Sequence, residues 1–167
     1  MLIVFGGLPG TGKSTIARAL ARALRATYLR IDVIEEAIRV ARGTDHEIGP
    51  EGYLIAYGLA ASNLELGQTV VADSVNPLPI TREAWRGVAA RTSAPLLEVE
   101  LVCTDVAEHR RRVETRKADI AGASLPTWAD VTARSYVAWP EPHLVVDTAR
   151  TSVEEAVAML VAGCSRQ

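Results

Sequence analysis

Lysine is almost missing from this chain. Of the 18 basic residues among 167, only Lys13 and Lys117 are lysines and the other 16 are arginines. Cysteine is as sparse: Cys103 and Cys164 stand far apart with no paired spacing. That excludes a disulfide framework and fits reduced thiols, with Cys103 as a small core hydrophobe. The three histidines do not cluster, which argues against a zinc site. No apolar run is long enough to cross a membrane. The N-terminal MLIVF is too short for a span or a signal sequence, so a cytoplasmic protein with no membrane contact is expected. A net charge of −2 gives no global positive field to draw in nucleic acid, although a local groove could still be basic. No repeat, low-complexity tract or linker divides the chain. It is expected to be a single domain over 1–167, large enough to bury roughly 70% of its unfolded surface.

What is present is an alternation of apolar runs and helical patterns. LIVFGG (2–7), TYLRI (27–31), QTVVAD (68–73), LLEVELVC (96–103) and HLVVD (143–147) read as five strands. Between them, Ile16, Leu20 and Leu24 mark one helix face, and further helices are expected over about 32–42 and 50–66. Thr81 is the expected N-cap of a helix running to about Thr92. A basic helix should run to about Arg116, another over TWADVTARSYVAW (127–139), and a last one after Ser152. This order predicts a five-stranded parallel sheet with helices on both faces. Ligands of such sheets bind at the carboxyl ends of the strands, so the residues just after each strand carry the interest.

The first of these ends is the loop GGLPGTGKST (6–15). It satisfies glycine, four residues, then Gly-Lys-Ser, between a strand and a helix. Such a loop turns backbone N–H groups inward around phosphates, lets Lys13 reach the β- and γ-phosphates, and offers the Ser14 hydroxyl to magnesium. Gly10, Thr11, Gly12, Lys13, Ser14 and Thr15 are therefore the candidate nucleotide-binding residues. In a chain that writes its positive charge as arginine, a lysine here fits a need for a compact ammonium.

Asp73, ending the third strand, stands where a second magnesium-side carboxylate is wanted; its other reading is a cap or turn residue in DSVNP. Asp32, after the second strand, can accept the proton of an attacking hydroxyl or serve as an N-cap. In EHRRRVETRK (108–117), Arg110 and Arg111 read as a solvated face. Arg112 and Arg116 lie one helical turn apart beside a loop, where arginines could close over phosphates as a lid. Trp85, Val88 and Ala89 read as core, Tyr53 and Tyr57 as packing or an acceptor-pocket wall, Asp130 and Arg134 as an i,i+4 ion pair, and His46 as a surface histidine.

Together these stretches resemble the small P-loop kinases of the AAA_33 type, with a nucleoside-monophosphate-kinase-like core. The resemblance is greatest to the chloramphenicol phosphotransferases and the kinase domain of the phage polynucleotide kinases. GLPGTGKST (7–15) is the specific motif. IDVIEEAI (31–38) is similar to the segment carrying the general-base aspartate, which implies that role for Asp32. VVADSVNPLPITREAW (70–85) is similar to the third strand and following helix of the polynucleotide kinases, with Asp73 at the matching place. RVETR (112–116) resembles their lid segment, which implies a short lid at about 116–127 and a phosphate contact for Arg116. HLVVDTA (143–149) resembles the final strand and the loop beside the adenine. One departure matters: where the polynucleotide kinases place an arginine for the nucleic-acid phosphate, this chain has Glu35.

The resemblance implies an ATP- and Mg2+-dependent kinase acting on a hydroxyl of a small molecule, such as an antibiotic or metabolite. Asp32, Lys13 and Arg116 would be catalytic, Asp32, Glu36 and Asp73 substrate-facing, and Ser14 and Asp73 metal-binding. Glu35 and Glu36 should make the acceptor corner negative, favouring an uncharged or cationic alcohol over nucleic acid. A polynucleotide 5′-hydroxyl kinase and a non-catalytic ATP-binding regulator are the alternatives. No Asn-Lys-x-Asp segment for guanine occurs.

Overall fold

The computed structural model describes residues 1–43, 48–122 and 124–164. The strands are β1 (Leu2–Gly6), β2 (Thr27–Arg30), β3 (Val70–Asp73), β4 (Leu96–Val102) and β5 (Leu144–Asp147). The helices are α1 (Lys13–Leu24), α2 (Ile31–Arg42), α3 (Glu51–Glu65), α4 (Pro79–Arg91), α5 (Val106–Thr115), α6 (Trp128–Ala133) and α7 (Val153–Cys164). All five strands are parallel, in the order β2-β3-β1-β4-β5.

β1 is apolar because it sits mid-sheet with both faces covered. Its alternate side chains feed two cores. Ile3 and Phe5 pack with Ile16 and Leu20 of α1 and Ala156 and Leu160 of α7. Leu2 and Val4 pack with Ala56 and Ala60 of α3 and Trp85 and Val88 of α4. Trp85, Val88 and Ala89 are core, as their spacing predicted, and Cys103 is buried. The register pairs Asp73 with both Phe5 and Arg30, so the carboxyl ends of β1, β2 and β3 lie level and open on one edge.

Three boundaries differ from the sequence reading. Ile31 opens α2 instead of ending β2, which makes Asp32 a first-turn residue, not the N-cap. α4 starts at Pro79, whose missing N–H and fixed φ suit a first helical position. Thr81 therefore lies inside α4, its hydroxyl donating to the Leu78 carbonyl at 2.8 Å. The expected 127–139 helix stops at Ala133, because tertiary contacts claim the chain beyond it. The Val137 N–H donates to the Pro77 carbonyl (2.9 Å), and Trp139 is buried against Gly6 beneath the Arg82 guanidinium. His46 lies outside the described residues. Among the described residues no helix is long and apolar enough to cross a membrane.

Candidate active site

The glycine loop is held from two sides. At Gly10 the backbone has φ +87°, and a Cβ there would lie 2.5 Å from Val113 of α5. One turn earlier on α5, the buried His109 ring donates from Nε2 to the Pro9 carbonyl at 2.8 Å. From the β5 side, the Thr148 hydroxyl donates to the Thr11 carbonyl at 3.0 Å. Buried Thr11 closes the loop on itself by donating to Leu8 O at 2.9 Å. Gly12 is the N-cap of α1 and offers no side-chain acceptor to the first-turn N–H groups. An anion is the natural partner for such a helix start.

Lys13 is buried, with Nζ donating to Leu8 O at 2.8 Å. Burial pushes its ammonium down to about 8 against the opposing pull of Asp73 and Asp32; Arg116 and Arg134 lower it further. Ser14 lines the same cleft, whereas Thr15 is exposed and outside the lining.

Asp73 is 3% exposed and accepts a 2.6 Å bond from the Tyr28 hydroxyl. It ends β3 and caps no helix. The Asp32 carboxylate is exposed, with its Oδ2 at 3.3 and 3.4 Å from the Arg30 guanidinium. Glu35, one turn on, packs over Gly52 of α3, and burial followed by the Asp32 charge holds its carboxyl above the usual range. Glu36 is buried and ion-paired with Arg39.

The arginines of α5 divide as the sequence suggested in part. Arg110 pairs with Glu114 and Arg111 with Glu108 on the exposed face. Arg112 turns inward: Nε pairs with Glu108, while Nη1 and Nη2 donate to the Thr148 hydroxyl and carbonyl at 2.9 and 3.1 Å. Arg116 is half-buried at the C-cap of α5, with Nε and Nη2 buried and without a hydrogen-bond partner. Buried N–H groups of a cation are costly unless paired. Such a residue on the cleft wall suits an anionic partner.

These groups line one cavity of about 920 Å³ at the strand ends. Gly10, Gly12, Lys13, Ser14, Asp32, Glu36, Asp73, Arg112 and Arg116 all reach it, and Thr11 braces it from behind. Residues 118–120, Gly122 and 124–126 supply part of its wall. Arg30 and Asp119 also belong to it and were not singled out from sequence, and Arg134, expected only as an ion-pair partner, lines it too. Asp130 forms a capping box with Thr127 in place of a close ion pair with Arg134, whose charge still helps hold the Asp130 carboxyl below its usual range after the Thr127 hydrogen bonds. Tyr53 is a wall residue, accepting from the Asn76 N–H (3.3 Å), while Tyr57 packs edge-on against Trp85. Around Glu35 and Glu36 the charge is not simply negative, since Arg39 pairs with Glu36 and the Arg134 charge acts on Glu35.

A family model for the AAA domain, AAA_33, matches residues 2–138. The protein belongs to the AAA_33 family. Its fold is that of the small P-loop kinases, as the sequence resemblance implied. It is similar to the Mycobacterium tuberculosis APS kinase in complex with AMPPNP and APS (TM-score 0.73, 21% identity, 98% of this chain and 96% of that one). It is also similar to a gluconokinase from Sinorhizobium meliloti 1021 (TM-score 0.65, 20% identity, 98% and 91%). A third likeness is to Chaetomium thermophilum Kti12 in complex with ADP-AlF3 (TM-score 0.66, 18% identity, 97% and 98%). No curated protein matches the chain significantly.

Proposed function

We propose that this AAA_33 member is an ATP- and Mg2+-dependent kinase that transfers the γ-phosphoryl group to a hydroxyl of a small molecule. The observation that carries the reading is the convergence of Lys13, the unpartnered Arg116 and the carboxylates Asp32 and Asp73 in one cavity. Likeness to structures of an APS kinase and a gluconokinase supports it. Phosphoryl transfer asks a protein mostly for positioning and charge neutralisation, and these residues supply both.

Ser14 and Asp73 are hard oxygen donors on the cavity wall, the type magnesium prefers. Among the described residues no group of three or more His, Cys, Asp or Glu is placed to hold a metal ion. That suits an ion held by one or two protein oxygens and the substrate's phosphates. Bound there, magnesium would neutralise charge on the β- and γ-phosphates. Lys13 and Arg116 hold the phosphates, the first-turn N–H groups of α1 add backbone donors, and Arg112 braces the nucleotide side through Thr148. Asp32 takes the proton of the acceptor hydroxyl. The 116–127 segment acts as a lid that excludes water from the transfer.

An acceptor screen by mass spectrometry, looking for an added phosphate, tests the reading. The panel runs from uncharged and amine-bearing alcohols to sugar acids, and because Arg39 and Arg134 line the acceptor side it includes an oligonucleotide with a free 5′-hydroxyl. Acceptor-dependent ATP turnover that disappears in Asp32→Asn is expected. ATP binding with no acceptor-dependent rise across the panel would favour a nucleotide-binding regulator instead.

A further inference from the structure

Arg30 ends β2 with its side chain only 12% exposed, yet its guanidinium meets three carboxylates. Nη1 donates to Asp119 of the 116–127 segment at 2.7 Å. Nε and Nη2 reach Asp32 only at 3.4 and 3.3 Å. Nε lies 3.9 Å from Asp73. Asp119 is shared with Arg18 of α1 at 2.9 Å, so the segment is tied to two elements through one carboxylate. The same segment rests on α2, where a Cβ at Gly122 would lie 2.6 Å from Glu36.

A guanidinium is a rigid plane of five donors. Turning it fully toward one carboxylate turns it away from another. With Asp119 docked, the short bond goes to the segment and the long ones to Asp32, whose second oxygen is left for an acceptor. With Asp119 withdrawn, the guanidinium is left with Asp32 and the more distant Asp73, and Nε and Nη2 can close into a two-pronged pairing with Asp32. We infer that Arg30 is a positioning residue that couples docking of the 116–127 segment to the availability of Asp32. This rests on Asp32 being the base of the proposed kinase. Its consequence is chemical economy: while the segment is lifted and water has access, the base is held in an ion pair, so water is not activated against the nucleotide.

The test has two arms. In the first, hydrogen exchange of amides 117–122 is followed with Mg·AMPPNP and no acceptor. Asp119→Asn and Arg30→Gln should each raise exchange at least about fivefold, and the double variant no further. In the second, kcat and KM for ATP are measured with an acceptor taken from the screen. Each single variant should lower kcat by about tenfold with less than a twofold change in KM, and the double should match the singles instead of multiplying them. Arg30→Lys, a point charge that can serve Asp119 or Asp32 but not both, should refold normally yet leave kcat low. Asp119 is surface-exposed, so its variant keeps the test open if Arg30→Gln folds poorly. Unchanged exchange in both single variants, or multiplicative losses in kcat, would overturn the coupling. A normal kcat in Asp32→Asn would instead remove the base, leaving the exchange arm to report on the latch alone.

Discussion

Tyr28→Phe tests whether Asp73 belongs to the metal side of the cleft, and it does so without knowledge of the acceptor. The substitution keeps the ring, which packs against the core beneath α1, and deletes only the hydroxyl that donates to Asp73 at 2.6 Å. Burial and the Asp73 charge push the Tyr28 phenol up, so it is a donor throughout the usual pH range. Asp73 is 3% exposed, so water replaces the lost donor only in part. Arg30 Nε, at 3.9 Å, is outside hydrogen-bond distance and already engaged with Asp32. A hydrogen bond to a charged group contributes about 1.5–3 kcal/mol. For a chain of this length each kcal/mol moves Tm by about 2–4 °C, so scanning calorimetry in EDTA should show a loss of about 3–12 °C. Magnesium with AMPPNP should then stabilise the variant more than the parent, because the cation supplies what Tyr28 no longer does; the deficit should at least halve. A Tm within about 1 °C of the parent in EDTA would refute the energetic assignment. An equal deficit with and without magnesium would refute the placement of Asp73 beside the metal.

Lys13→Ala should abolish transfer and weaken ATP binding, measured by calorimetric titration, since Lys117 is the only other lysine and it is exposed. Arg116→Ala should lower turnover by at least tenfold, and toward the lower end of the 10³ to 10⁵ range of arginine fingers at most, while ATP affinity falls far less; a smaller drop in turnover would remove Arg116 from the transfer step. Gly10→Ala should cost nucleotide affinity about tenfold or more, because the new methyl strikes Val113 at a φ of +87°, whereas Gly58→Ala, with nothing within 4 Å, should be neutral or slightly stabilising. Arg30, before the penalty of burial and the help of Arg18, holds the Asp119 carboxyl down at about 2, below its unfolded value of 3.8. Its ion pairs therefore contribute above about pH 4 and are lost as pH falls through 2, so protection of amides 117–122, corrected for intrinsic rates, should be flat from pH 5 to 8.

What was legible in the sequence was local. The five strands show as apolar runs because a parallel sheet covered on both faces needs no alternation, and β1 is buried at every position. The loop at 6–15 shows because the glycines, lysine and serine are consecutive. Features set by distant partners left no such trace. Pro79 outranked Thr81 as the start of α4, and Trp139 turned the end of the expected 127–139 helix into irregular chain, because Gly6 leaves room for its ring. His109 looked like part of a charged run; its partner Pro9 is 100 residues away. The one available hint was that His109 and Val113, four apart, are the least charged stripe of α5. Arg30 and Asp119, 89 residues apart, gave no signal at all.

The scarcity of lysine, with two among 18 basic residues, has a physical rationale in the same cleft. Several of the arginines must satisfy separate oxygens at once. Arg30 is divided among Asp32, Asp73 and Asp119, Arg112 between Glu108 and Thr148, and, outside the cleft on α4, Arg86 between Glu98 and Glu141. A planar fork can be shared in this way and keeps its charge when half-buried; an ammonium cannot be split among fixed, separated acceptors as easily. Under the glycine loop the demand is reversed. There the space is narrow, the neighbour in this structure is the single Leu8 carbonyl, and the partners to be met are phosphate oxygens whose positions change during transfer. A compact charge on a flexible stem suits that task, and its cost is visible in the fall of the Lys13 ammonium to about 8. Asp73 and Asp32 oppose that fall, so the carboxylates assigned to metal and base also keep the lysine charged until the phosphates arrive.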